Sequence, residues 1–346
     1  MLRLAQPSKS LIRVLVTKES TMEQKKPFVP HSHLPYGEVG SGYFSTRSIA
    51  NRQVVKTATP LVLRELDAMA LEKQSVLTLV DYGTADGGIS MDLIYACVKA
   101  IREKYGAELP INVIYEDQPV NDFTSVFLRT QVISWTSPTC SSWPAEKEKF
   151  RVQAEKDWEL YLTKRAAELR PGGSMILAEV VLTEDGQFPG HTNDSKYGCM
   201  TLLSTLWKSL SDDGVITDDV FTKTNLSLYV KTVDDFKKPF KCPNSPVVKA
   251  GLELVSIDTK ITPCPYKGKW IKEKGDAKEH AKKYVGSIRA WSNSTFLSGL
   301  SDSRSVEEKS KIVDELYHRY EAEVAKCPED HGVDYVNAYL VLRKRL

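Results

Sequence analysis

Apolar residues along the chain follow two rhythms, and each predicts a type of element. "SVLTLVDYG" (75–83) and "INVIYED" (111–117) are short, β-branched and bounded by acids or glycine, which reads as buried parallel strands. Between them, "ISMDLIYACVKAIREKYG" places Met91, Ile94, Val98 and Ile101 on one helical face and stops at Gly106. Strand, glycine turn, helix, strand is the βαβ unit of a doubly wound sheet, which binds ligands at the carboxyl ends of its strands.

Upstream, the apolar positions Ile49, Val54, Val55, Leu61, Leu63 and Leu66 predict helices interrupted at Pro60. Downstream, Glu148 to Leu169 reads as a strong helix ended by Pro171 and two glycines, followed by the strand "SMILAEVVL". A helix over "MTLLSTLWKSLSDDG", a strand over "LELVSIDTKI", a polar helix over "RSVEEKSKIVDELYHRYEAEVAK" and a closing strand in "VDYVNAYLVLRKRL" complete the pattern.

Composition narrows the function. The 346 residues carry 47 Lys+Arg against 45 Asp+Glu, so no basic nucleic-acid surface is indicated and a small molecule is the expected partner. Six cysteines without a C-x-x-C pair argue against zinc and a disulfide framework, and predict reduced thiols and a cytoplasmic protein. No apolar run reaches the length of a membrane span. Arg3, Lys9, Arg13 and Lys18, with no acid in residues 1–18, give a faint likeness to a mitochondrial presequence; the alternative is a plain leader, with Met22 as a start site.

The turn "DYGTADGG" carries the candidate chemistry. Its spacing, Gly83-x-x-x-Gly87-Gly88, fits the dinucleotide fingerprint G-x-G-x-x-G poorly and suits a nucleoside ligand without a pyrophosphate. S-adenosylmethionine is such a ligand. Asp81 is placed for its ammonium, Asp117 for its ribose and Gln118 beside its adenine. The plainer alternatives are a helix-capping acid at 81 and a turn residue before Pro119 at 117.

These motifs resemble the plant-type SABATH methyltransferases, from about Tyr43 to the C-terminus. "YFSTRSIANRQVV" is similar to the family's Y-x-x-N-S-x-x-Q, with Phe44 and Ser48 in cofactor positions and Asn51 where glutamine is usual. "DYGTADGG" matches D-L-G-C-S-S-G at Asp81, Gly83 and Gly87. "YEDQPVNDF" matches N-D-L-P-x-N-D-F at Asp117, Pro119, Asn121, Asp122 and Phe123. "NLSLYVKTVDDF" puts Tyr229 in a substrate-pocket position, and Met200 stands where some members have a pocket tryptophan. "VISWTSPTC" places Trp135 at the usual pocket tryptophan, although only eleven residues separate it from Phe123, so the family's serine-phenylalanine pair and most of its fourth strand are missing.

The resemblance implies an α/β, Rossmann-like class I methyltransferase fold: a mostly parallel sheet with a helical cap. The expected divisions are a flexible tail at 1–40, a cofactor-binding core at 41–262 with a helical insertion near 190–248, a cap at 263–327 and a returning strand at 328–346. It implies methyl ester formation on a small carboxylic acid with S-adenosylmethionine as cofactor, and admits a homodimer, with no nucleic acid or membrane partner. The nucleophile is already charged, so no general base is required. Asn51 and Trp135 would position the carboxylate, the latter also readable as a core aromatic. A catalytically impaired short form and N-methylation of heterocycles are the alternatives; a nicotinamide oxidoreductase is disfavoured by the glycine spacing. Trp143, Trp158 and Trp207 are expected in the core, and His318 and His331 in solvent.

Overall fold

The structure is a computed structural model that describes residues 36–69, 76–117, 121–122, 125, 144–192, 197–224, 229–301 and 303–346. The predicted leader at 1–18, Met22, Gln118, Trp135 and Trp143 lie outside the described residues.

Two helices come first among the described residues, α1 (Tyr43–Arg47) and α2 (Ile49–Ala68). The predicted break at Pro60 is absent, since α2 runs through it as one helix. An internal proline costs about 3 kcal/mol, and packing on both sides of it supplies the compensation. Val54 and Ala58 pack on Tyr339, and Leu66 packs on Leu77, Cys97 and Ile101. Pro60 itself is exposed, and the Thr59 hydroxyl donates to the Val55 carbonyl at 3.0 Å in the weakened turn.

The βαβ unit forms as predicted. Strand β1 (Leu77–Tyr82) pairs in parallel with β2 (Ile111–Glu116), in register from Leu77↔Ile111 to Tyr82↔Glu116, with α3 (Met91–Tyr105) as the crossover. Helix α4 (Pro144–Glu168) leads to a second sheet, in which β5 (Tyr335–Lys344) is central and antiparallel to both β3 (Ser174–Val180) and β4 (Leu252–Thr262). Antiparallel pairing is available to β5 because the chain returns to it from the cap. Its residues Val336 to Leu342 are all buried. Trp158, Leu162 and Ala166 of α4, with Phe236 of α7 (Val233–Lys241) and Val247 of α8 (Pro246–Lys249), cover that sheet.

Among the described residues, no strand joins the two sheets; β1 bonds only to β2, and β3 only to β5. The shortened 123–135 stretch, of which only Ser125 is among the described residues, is where the sequence predicts a missing strand. Side chains bridge the division. The Tyr82 hydroxyl donates to Glu168 at 2.5 Å, and the Arg165 guanidinium lies 4.4 Å over the Tyr82 ring. Glu65 of α2 accepts from Ser174 Oγ at 2.8 Å and from Arg343 at 2.5 Å, while its neighbour Leu66 packs under β1. One face of the β1–β2 pair remains open: Val80 and Ile114, register partners, are 39% and 43% exposed.

The remaining helices make the cap. Leu203, Trp207 and Leu210 of α5 (Cys199–Asp212) and Val220 of α6 (Asp218–Lys223) pack against Tyr284, Ile288 and Phe296 of α10 (Ala277–Gly299). Val313, Leu316 and Tyr320 of α11 (Val306–Lys326) close the same core, with α9 (Pro265–Glu273) beside it. Trp158 and Trp207 are buried, as core residues should be, and His318 is exposed. The expectation of a solvated His331 is overturned. It is 4% exposed, stacked 5.2 Å from the Tyr197 ring, with Nε2 3.7 Å from Cys327 Sγ, because the loop after α11 folds back under the segment entering α5. Among the described residues no helix is long and apolar enough to cross a membrane.

Candidate active site

The glycine turn after β1 is built from three left-handed residues, Gly83 (φ 71°), Ala85 (φ 48°) and Gly87 (φ 75°). Glycine adopts this conformation freely, whereas alanine pays about 1–2 kcal/mol. The strain at Ala85 is held by the segment after β2. Asp117 Oδ2 accepts from the Ala85 N–H at 2.6 Å, and the Asn121 amide donates to the Ala85 carbonyl. Two of the predicted cofactor residues of the second motif, Asp117 and Asn121, therefore clamp the first. A Cβ at Gly83 would meet nothing within 4 Å, so the backbone there faces open space.

Asp81 ends β1 as predicted, and its carboxylate accepts from Ser90 Oγ at 2.5 Å and Thr84 Oγ1 at 2.9 Å. Burial raises its pKa above the ordinary value; the Ser90 and Thr84 bonds oppose this and the Asp117 charge adds to it. Ser90 is the residue preceding α3, so this bond ties the end of β1 to the start of that helix through side chains.

Helix α1 is brought over this turn by ties that sequence reasoning missed. Asp86, 3% exposed, accepts from the Ser45 N–H at 2.9 Å through one oxygen and from the Gly88 N–H at 3.2 Å through the other. Asp122 accepts from the Gly40 N–H at 3.1 Å, and Ser125 Oγ from the Gly42 N–H at 3.0 Å. From the cap, the Tyr266 hydroxyl donates to the Arg47 carbonyl at 2.6 Å, and the Arg289 guanidinium stacks 4.4 Å from Tyr36 and 4.8 Å from Tyr317. Acids within two residues of the glycines and of Asn121 were the available signal, but nothing in one dimension says which backbone amide they meet.

Phe44 is half-buried on α1, and Ser48 sits 4% exposed between α1 and α2 with its Oγ unpartnered among the described residues. Asn51 lies half-buried in the first turn of α2. Met200 and Tyr229 have partners of their own. Met200 packs against the cap core from α5. The Tyr229 hydroxyl donates to Asp235 Oδ2 at 3.1 Å, joining the capping box in which Thr232 and Asp235 close the N-terminus of α7. Burial, reinforced by the Asp235 charge, pushes this phenol up to about 12. We expect Tyr229→Phe to lower unfolding free energy by about 1 kcal/mol and leave kcat/KM for the acceptor within about twofold; a larger kinetic loss at unchanged stability would put the hydroxyl on the substrate instead.

The described residues hold no group of three or more His, Cys, Asp or Glu that could hold a metal ion. Cys97 and Cys199 are buried thiols pushed up to about 11 and about 12 by desolvation, which leaves them poor nucleophiles.

Comparison with known proteins agrees with this arrangement. The chain is 22% identical to a probable S-adenosylmethionine-dependent methyltransferase of Arabidopsis thaliana, over 91% of this chain and 96% of that one. A 138-residue stretch is 28% identical to anthranilate O-methyltransferase 2 of Zea mays, covering 37% of this chain and 36% of that one. The solved structure of a loganic acid methyltransferase with SAH has the same fold, with TM-score 0.67 at 16% identity over 90% of this chain and 99% of that one. Residues 136–345 match the pattern of one family, and by that match the chain belongs to the SAM-dependent carboxyl methyltransferases, enzymes whose methyl donor is S-adenosylmethionine.

Proposed function

We propose that this chain forms methyl esters of a small organic acid, with the donor held between the glycine turn, the segment after β2 and α1. The observation that carries the reading is the convergence of those three segments beside a buried hydroxyl, Ser48 Oγ, that lacks a partner among the described residues. A buried unpaired hydroxyl costs about 1–3 kcal/mol, and a ligand carboxylate would relieve it. The open space at Gly83 suits close approach of a nucleoside to the backbone. These residues fit S-adenosylmethionine.

When bound, the cofactor supplies a methyl group on a cationic sulfur. The protein's own work is positioning and exclusion of water. Asp117 would accept from the ribose and Phe44 would supply an apolar wall. Asn51 and Trp135 would hold the acceptor carboxylate in line with the methyl carbon. Alignment of this kind is worth up to about 7–11 kcal/mol of barrier. The acceptors named for the relatives, anthranilate and loganic acid, define the class to screen first.

Calorimetry with S-adenosylmethionine and its demethylated product on the full chain tests the first half; mass detection of methyl esters from a panel of carboxylic acids tests the second. Micromolar binding with ester formation is expected. Absence of binding by folded protein would sink the reading. Among the described residues the two sheets share no strand and Val80 and Ile114 are exposed, which favours one alternative, a short form that binds without turnover, and binding with no ester from any acid would select it.

A further inference from the structure

We propose that Asp86 is a positioning residue for methyl transfer, setting the distance between α1 and the glycine turn and so holding Phe44 and Ser48 against the cofactor. The inference rests on the cofactor site described above. A buried carboxylate is costly unless its oxygens are bonded, yet Asp86 is 3% exposed where the resembling motif carries serine. A single hydroxyl oxygen has short reach. Two carboxylate oxygens can accept separately, one from Gly88 within the turn and one from Ser45 in α1. Asp86 is thus a direct tie between these two segments.

Helix α1 needs such a tie. Five residues are too few to persist as a helix alone, so its placement depends on tertiary bonds. The other ties lie to either side. Asp122 and Ser125 hold Gly40 and Gly42, and Tyr266 holds the Arg47 carbonyl. With Asp86 removed, those outer ties keep α1 attached to the molecule, while the register of residues 44–48 against the turn is released. The loss therefore falls on cofactor affinity more than on folding.

The test is calorimetric titration of S-adenosylhomocysteine into the full chain and its Asp86→Ala, Asp86→Asn and Asp86→Ser variants, with ligand-free thermal unfolding of each. Asp86→Ala is expected to weaken binding about tenfold, in line with one lost charge-assisted hydrogen bond. Ligand-free midpoints should stay within a few degrees of wild type. Asp86→Asn, which keeps one acceptor oxygen, should recover part of the affinity. In turnover, KM for the donor should rise about tenfold with kcat within about twofold. Wild-type affinity in folded Asp86→Ala overturns the proposal, as does a parallel fall of affinity and ligand-free stability across the series. Should Asp86→Ala not fold, Asp86→Asn and Asp86→Ser are read by the same criteria. No binding by wild type overturns both this inference and the cofactor site, whereas binding by wild type with unaffected variants overturns this inference alone.

Discussion

Asp117→Ala is expected to weaken S-adenosylmethionine binding by a factor of about 100 or more, the largest effect of any single change to the site. Two losses combine. The carboxylate that would accept from the ribose is gone, and so is the acceptor that holds the Ala85 N–H at 2.6 Å. Charge-assisted bonds contribute about 1.5–3 kcal/mol each, and without its clamp the left-handed Ala85, φ 48°, can relax away from the bound geometry. An ionised carboxylate has about four lone-pair directions, so holding the turn leaves capacity for a ligand. Isothermal titration decides it: an Asp117→Ala protein that unfolds like wild type yet binds the donor with wild-type affinity would remove Asp117 from the site.

Glu65→Ala is expected to cost about 2–3 kcal/mol of stability, lowering the unfolding midpoint by about 5 °C, because Glu65 ties together two sheets that no strand joins among the described residues. Its carboxylate binds Ser174 of β3 and Arg343 of β5 from a helix whose next residue packs under β1. Arg343 is 41% exposed and regains water when its partner is removed, which keeps the cost below that of a fully buried pair. Burial pushes the Glu65 carboxyl upward, but the bonds from Arg343 and Ser174 and the charges of Arg343 and Arg64 outweigh it and hold the carboxyl below its ordinary value. A depressed folded-state pKa contributes stability that is fully present above the unfolded-state value, about 4.3, and is lost as pH falls through the folded-state value. Urea denaturation of wild type and Glu65→Gln should therefore differ at pH 7 and converge as pH drops below about 4. A gap that persists in acid would assign the effect to packing.

The parts legible in the sequence are those that local rules dictate. Short β-branched runs and a period-3.6 apolar pattern placed β1, β2 and α3, and the glycine spacing disfavoured a pyrophosphate turn, because each depends on residues within a few positions of one another. Resemblance extended this to a class of chemistry through Asp81, Asp117 and Asn121. Counting residues between Phe123 and Trp135 leads to the expectation of a sheet lacking a strand, since chain length bounds what can cross it, but that stretch lies almost wholly outside the described residues.

Other features needed three dimensions. Pro60 reads as a helix breaker, and only burial of Val54 and Ala58 on one side and Leu66 on the other keeps α2 whole. His331 reads as a loop histidine until Tyr197, far away in the chain, stacks on it. Asp86 and Asp122 look like ordinary loop acids, and their partners are the backbone amides of Ser45 and Gly40, about which sequence is silent because every residue but proline has one. Local pattern specifies which segments become strand, turn or helix and which ligand chemistry they suit. The pairing of a carboxylate with a distant N–H arises from how those segments pack, and that pairing is what assembles α1, the glycine turn and the segment after β2 into one site.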